Sequence, residues 1–184
     1  MSTLGQLVYA LAFQVGWFVC ITMGNLASIL YALVFLICHL SFMAHKHSGK
    51  HIGKEILWII VISCLGLIIE TIYFSTGLLY IETQKHLYHR FVLPPLWLIC
   101  IWVMFSLALR TCLAFLFNKR ISTYLICMVF VPINYYAGAN LNTQVNINEP
   151  FVFSLVLLTL VWLLFWWTLS HVKKSYFEEL FNAN

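Results

Sequence analysis

The stretch that decides the fold is LWIIVISCLGLIIETIYFSTGLL, residues Leu57–Leu79. A helix of about 20 apolar residues, rising about 1.5 Å per residue, crosses the roughly 30 Å hydrocarbon core of a bilayer. This stretch contains a single charged residue, Glu70. A charged side chain at mid-bilayer costs about 2.5–3.5 kcal/mol. Glu70 must therefore be protonated, paired, or turned toward a polar interior of the protein.

The composition of the chain agrees with this interpretation. Of the 184 residues, 62% are hydrophobic and 9% are charged, whereas soluble domains carry about 25% charged residues. So few charges cannot cover a water-facing surface, so we expect an integral membrane protein. The net charge is +4, and the basic residues sit in short loops between the apolar segments. We therefore interpret them as a signal for the orientation of the chain in the membrane, and we expect no nucleic-acid partner.

Six apolar segments predict an all-α polytopic membrane protein, a bundle of six transmembrane helices. They run from Leu4 to Met23, Leu26 to Met43, Leu57 to Leu79, Leu93 to Phe117, Ser122 to Leu141 and Phe151 to Ser170. Gly24 and Asn25 form a minimal turn between the first two segments. Pro132 and its polar neighbours leave open whether the fifth segment is continuous, broken or re-entrant. Residues 1–171 would form the transmembrane domain, and residues 172–184 a cytoplasmic amphipathic tail.

Basic residues are unevenly shared between the loops. The loops on the side of the termini carry Lys46, Lys50, Lys54, Lys119, Arg120, Lys173 and Lys174, and the other side carries Lys85 and Arg90. The excess of positive charge on cytoplasmic loops predicts that both termini are cytoplasmic. The connector from Tyr80 to Arg90 is amphipathic, and the tail from Lys173 has the spacing of a short helix on the headgroups.

Depth along the helices groups polar residues around Glu70. At about 1.5 Å per residue, Glu70 lies roughly 22 Å from the cytoplasmic end of its span. Asn134, Tyr135 and Tyr136 lie at a similar level, and Gln14 lies near mid-membrane. We predict an intramembrane polar site made of these residues. In the functional interpretation it binds a substrate or relays a proton, and in the structural one the amides and Glu70 hold helices together.

A second polar layer is predicted nearer the cytoplasm. Arg110 lies roughly 10 Å deep, close to the level of His39. We predict an inner-leaflet polar site of Arg110 and His39, while a direct ion pair between Arg110 and Glu70 stays open. Alternatively, Arg110 reaches the headgroups or binds a lipid phosphate.

Motifs of known chemistry are missing from the sequence. The chain has no Asp and no nucleophile elbow, zinc-protease or nucleotide-binding motif, so those enzyme classes are disfavoured. The histidines that could suggest a metal are His39, His45, His47, His51, His86 and His89. They fall into two groups on opposite sides of the predicted topology. We therefore predict no metal site, no cofactor and no catalytic residue.

Several aromatic and glycine positions resemble a known family. They are Phe13–Cys20 (FQVGWFVC), Pro95–Leu98 (PLWL), Trp102, Phe105, Pro132, Tyr135 and Gly138. Together they resemble the bacterial inner-membrane family classed as domain of unknown function 2878, over nearly the whole chain. Val131 departs from the glycine expected before Pro132. The resemblance implies a helical fold in the bacterial inner membrane and no established activity. It also implies that the gene lies beside genes for fatty-acyl-modifying enzymes.

We therefore expect a binding, carrier or accessory module for a lipid or small lipophilic compound, with Glu70 in its polar centre. Its expected partners are membrane lipids and other membrane or lipid-modifying proteins. Three alternatives are a structural subunit of a membrane complex, an intramembrane enzyme acting on acyl chains, and a small-ion transporter.

Overall fold

The computed structural model describes residues 3–46, 51–82, 91–117, 120–142 and 144–182. Its helices are α1 (Thr3–Lys46), α2 (Ile52–Ser75), α3 (Leu96–Arg110), α4 (Arg120–Leu141), α5 (Phe151–Val172) and α6 (Glu178–Asn182). Two short strands, β1 (Leu79–Ile81) and β2 (Val145–Ile147), form an antiparallel ribbon. The 3₁₀ turn Ala114–Phe117 follows α3, and the π-helical turn Lys173–Phe177 joins α5 to α6.

The protein is a helical membrane protein. Within the described ranges, four helical segments are long and apolar enough to cross a bilayer, namely Thr3–Lys46, Ile52–Ser75, Ile121–Leu141 and Phe151–Phe181. Large apolar side chains such as Leu7, Leu33 and Leu164 are exposed along these helices. An exposed apolar surface of this extent is suited to lipid rather than to water.

The long helix α1 folds back on itself at Gly24. This residue has φ 75° and ψ −174°, a conformation that a residue with a Cβ rarely adopts. The turn predicted at Gly24 and Asn25 is therefore present. Beyond it, the Tyr31 hydroxyl donates to the carbonyl of Ala12 at 2.8 Å, and the Tyr9 and Phe35 rings lie 4.8 Å apart. Residues 3–23 and 25–46 are thus two antiparallel arms of one hairpin.

The described helices divide into two compact units. The first unit contains Met1–Leu67, Pro95–Phe115 and Val172–Asn184, and the second contains Ile68–Pro94 and Leu116–His171. In the first unit α1 packs against α3. Trp58 of α2 is fully buried there, and its indole donates to the carbonyl of Ser106 at 3.0 Å.

The second unit is built from the end of α2, the ribbon, α4 and most of α5. Leu79 pairs with Ile147 and Ile81 with Val145 in the ribbon. The side-chain oxygen of Asn142 accepts hydrogen bonds from the backbone amides of Gln144 and Val145, at 2.8 and 3.1 Å. This turn directs the chain from α4 into β2.

The fourth predicted span is shorter than expected. It was predicted over Leu93–Phe117, but α3 covers 15 residues, Leu96–Arg110. Pro95 is the N-cap of this helix and is extended, with φ −64° and ψ 150°. Its ring disfavours helical backbone at the residue before it, so the helix does not begin earlier. Thr111 leaves the helix with φ −123° and ψ −97°. Arg110 is therefore the last residue of the helix and not a residue within it.

Other segments also differ from the sequence expectation or fall outside the description. The fifth predicted span is one continuous helix, α4, with Pro132 inside it. The tail is helical, and Phe177 and Leu180 are 3% and 1% exposed, so its apolar face packs on protein rather than only on headgroups. Of the predicted connector Tyr80–Arg90, residues 83–90 lie outside the described ranges.

A close contact between α2 and α3 gives a first prediction. A Cβ added at Gly66 would lie 2.0 Å from the Trp102 ring, whereas one added at Gly53 would meet nothing within 4 Å. Gly66→Ala should therefore lower the free energy of unfolding by about 1–3 kcal/mol, as overpacking does. Gly53→Ala is the matched control in the same helix and should be neutral or stabilising. Thermal melting of both purified variants in detergent tests this, and equal melting temperatures would contradict the packing described.

Candidate functional site

Glu70 lies in a cluster of hydrogen-bonding side chains in the second unit, which we call the Glu70 cluster. The residue is 1% exposed, and its Oε1 accepts a hydrogen bond of 2.7 Å from the Tyr135 hydroxyl of α4. That hydroxyl in turn accepts a 3.2 Å hydrogen bond from the indole N–H of Trp162 on α5. A directed chain of donors thus runs from α5 through α4 to the acid on α2.

Tyr73 completes the cluster from the next turn of α2. Residues three apart on a helix share a face, so Tyr73 and Glu70 both point to α4 and α5. The Tyr73 hydroxyl donates to the carbonyl of Leu158 at 3.0 Å. Its ring meets that of Tyr135 edge to face, with centroids 5.9 Å apart. The two phenols therefore hold α2, α4 and α5 together around one carboxyl group.

The other residues predicted around Glu70 lie elsewhere. Asn134 is exposed, and Tyr136 is 53% exposed with its ring against Phe151 at 5.6 Å. Neighbouring residues on a helix point in different directions, so Tyr135 can face α2 only if Asn134 and Tyr136 do not. Gln14, on α1, is also exposed.

A second polar cluster lies in the first unit and is centred on an acid that the sequence analysis did not single out. Glu55, in the first turn of α2, is 2% exposed. Both of its oxygens lie 3.1 Å from Nε of Arg110, and Oε1 accepts a 2.9 Å hydrogen bond from Nε2 of His39. His39 Nδ1 is hydrogen-bonded to the Tyr9 hydroxyl. We call these four residues the Glu55 cluster.

The Glu55 cluster brings the two residues of the predicted inner-leaflet site together through a third. Arg110 pairs with Glu55, which resolves the pairing that the sequence left open for this arginine. Because a carboxylate can only accept, His39 donates from Nε2, and in the neutral imidazole Nδ1 then accepts from Tyr9. The result is a continuous relay of hydroxyl, imidazole, carboxylate and guanidinium groups.

Residues of the C-terminal tail lie against this cluster. The ring of Phe181 lies 4.6 Å from the guanidinium carbon of Arg110, and Nζ of Lys173 lies 4.7 Å from the same ring. Lys54 and Glu179 form an ion pair between α2 and α6. Trp58 packs against both Phe177 and Phe181, with ring centroids 5.2 Å away in each case.

Chemically, the two clusters differ. The Glu55 cluster pairs its acid with a permanent cation, which holds the acid as a carboxylate. The Glu70 cluster offers its acid a phenol, which can also accept a hydrogen bond from another group. Among the described residues, no group of three or more His, Cys, Asp or Glu side chains could hold a metal ion. His47, His86 and His89 lie outside the described residues.

Comparison with known families gives the chain a classification. Residues 6–168 match the family described as "Protein of unknown function (DUF2878)". The chain belongs to this family. The match covers the residues of the Glu70 cluster and all four residues of the Glu55 cluster. It ends before Lys173 and Phe181, so the residues that cover Arg110 lie beyond the family segment. No curated protein and no solved structure matches the chain.

Depth was the sequence signal that could have revealed Glu55. His39 and Arg110 lie toward the C-terminal ends of their helical segments and Glu55 at the N-terminal end of α2. The predicted topology places these three ends on the same side of the membrane, and an acid beside two basic groups there suggests a pair. Tyr9 gave no such signal, because a tyrosine near a helix end is common in membrane proteins. Only the hairpin of α1 brings it to His39.

The Glu55 cluster gives a second prediction. Glu55→Gln keeps the size of the side chain but leaves the Arg110 charge buried without its anion. Removing one partner of a buried ion pair costs about 3–5 kcal/mol. We expect a lower melting temperature in detergent for Glu55→Gln and nearly none of this loss for Glu178→Gln, since Glu178 is exposed. Similar melting temperatures for the two variants would show that the buried pair does not stabilise the fold.

Proposed function

We propose that the chain crosses the bacterial inner membrane six times, with both termini in the cytoplasm. The hairpin of α1 supports two crossings in the first 46 residues, since each arm has the length of one span. The remaining four would be α2, α3 with its flanking residues, α4 and α5. The basic residues Lys46, Lys54, Lys173 and Lys174 support the orientation, because positive loops stay on the cytoplasmic side.

We further propose that the protein is a binding, carrier or accessory module for a lipid or small lipophilic compound. The observation that carries this proposal is the buried Glu70 carboxyl with its chain of donors from Tyr135 and Trp162. Ionisable residues inside a membrane are costly and mark binding or relay sites. A lipophilic ligand with one polar group would bind among the apolar helices and exchange hydrogen bonds with Glu70 and Tyr135. Membrane lipids are the nearest ligands of this kind.

An intramembrane enzyme acting on acyl chains is the second candidate, and the Glu55 cluster favours it. A hydroxyl bonded to an imidazole that is itself oriented by a carboxylate is an arrangement used for general acid–base chemistry. In this candidate, Tyr9 would be the group that exchanges a proton and Arg110 would fix the carboxylate.

Photolabelling tests the binding proposal and gives a third prediction. Full-length protein in detergent would be labelled with a photoactivatable phospholipid and, separately, a photoactivatable fatty acid. Glu70→Gln and Tyr135→Phe should each lower labelling at least several-fold, because each removes one of the groups that would bind the polar part of the ligand. Labelled peptides should map to α2, α4 and α5.

Tyr136→Phe is the matched control, because it removes the same hydroxyl from the next residue of the same helix, where the side chain is exposed. It should label as the wild type does. Melting curves check that each variant is folded. If folded Glu70→Gln and Tyr135→Phe proteins label as strongly as Tyr136→Phe, the Glu70 cluster only holds helices together, and a structural subunit becomes the better description.

A further inference from the structure

Arg110 carries a buried donor that no described residue satisfies. Its side chain is 1% exposed, and Nη1 has no hydrogen-bond partner. An arginine presents five N–H donors and keeps its charge in proteins. Buried donors are almost always bonded in native proteins, so an exception calls for an explanation such as a missing ion.

Glu55 accounts for only part of the guanidinium. The carboxylate is bound through Nε, and because the guanidinium is a rigid planar fork, its other donors point in other directions. The face of the group is covered by the Phe181 ring, which is a favourable contact for a cation but provides no hydrogen-bond acceptor in the plane of the fork. Neither Glu55 nor the Phe181 ring therefore satisfies Nη1.

A second cation lies next to the same aromatic ring. Nζ of Lys173 is 4.7 Å from the centre of the Phe181 ring, and the Arg110 guanidinium is 4.6 Å from it. Because both cations lie beside the same ring, their like charges repel. Among the described residues, Glu55 is bound by Arg110, and Glu178 interacts favourably with Lys173. An anion shared by the two cations would relieve their repulsion.

We propose that Nη1 of Arg110 and Nζ of Lys173 bind a phosphate group, carried either by a lipid headgroup or by a free anion. Arginine suits phosphate because its donors form parallel hydrogen bonds to two oxygens, and lysine adds a point charge. This site belongs to the first unit and uses none of the residues of the Glu70 cluster. It stands or falls independently of the proposed lipophile site.

Entry to this site requires the tail to shift. Phe181 is only partly buried, and the ion pair of Lys54 with Glu179 that ties α6 to α2 is solvent-exposed, with side chains 47% and 70% accessible. Exposed ion pairs contribute little to stability. The π-helical turn Lys173–Phe177 precedes Phe181, and such turns are frequent at functional sites. A small movement of α6 would uncover Nη1 while Lys173 stays at the rim.

Two neighbouring lysines provide the test and the fourth prediction. Lys173 is partly buried at the ring, whereas Lys174 is exposed, so Lys173→Gln and Lys174→Gln remove the same charge from adjacent positions. Full-length protein in a neutral detergent would be melted with dioctanoyl phosphatidylglycerol, with dioctanoylglycerol, which has the chains without the phosphate, and with inorganic phosphate. A ligand specific to the native state raises the melting temperature.

We expect phosphatidylglycerol or inorganic phosphate to raise the melting temperature of the wild type and of Lys174→Gln by about 3 °C or more. Lys173→Gln should lose at least half of this rise. A rise with the lipid alone identifies a headgroup site, and a rise with inorganic phosphate identifies a site for the free anion. Arg110→Lys, which keeps the charge but not the fork, should also lose the rise. If that variant does not fold, the comparison of the two lysines still decides.

Three results would overturn the proposal. The first is that neither phosphate compound raises the melting temperature of the wild type beyond the effect of dioctanoylglycerol. The second is that Lys173→Gln keeps the full rise. The third is that Lys173→Gln and Lys174→Gln lose it equally, because diffuse surface charge would then explain the binding.

Discussion

A carboxylate removed from water must find hydrogen-bond donors inside the protein, and this constraint shapes both polar clusters of the chain. Glu55 finds its donors in His39 and Arg110, which belong to the second arm of α1 and to the end of α3. Three helical segments are therefore fixed at one point by charge-assisted hydrogen bonds, which are stronger than neutral ones. Tyr9, from the first arm of α1, joins the same point through its hydrogen bond to His39.

Glu70 meets the same constraint with a hydrogen bond from the Tyr135 phenol. A phenol donates one hydrogen bond, and the Tyr135 hydroxyl in turn accepts a hydrogen bond from the indole N–H of Trp162. In the proposed binding role, a ligand would exchange its own hydrogen bonds for these at small net cost. Glu55, in contrast, is bound by the permanent charge of Arg110, which joins α2 to α3.

The composition and the lengths of the apolar segments were sufficient to predict the helical membrane class. The pair Gly24–Asn25 was sufficient to predict the turn within α1. The end of α3 at Arg110 was not predictable, because the residues after it are as apolar as those before it. The ribbon was missed because three-residue strands leave too short a pattern. For the site, helical rise grouped Glu70 with Asn134, Tyr135 and Tyr136 by depth. It could not select Tyr135 over Tyr136, since the facing direction of a helix depends on its packing.

The π-helical turn between α5 and α6 has a geometric consequence for the end of the chain. Such a turn contains one residue more than an α-helical turn, so everything after it is rotated by about 100° relative to an uninterrupted helix. With this added residue, Phe177 and Phe181 pack against Trp58, Phe181 also faces Arg110, and Tyr176 lies outward. A single inserted residue has thereby redirected an entire helical face without the use of a loop.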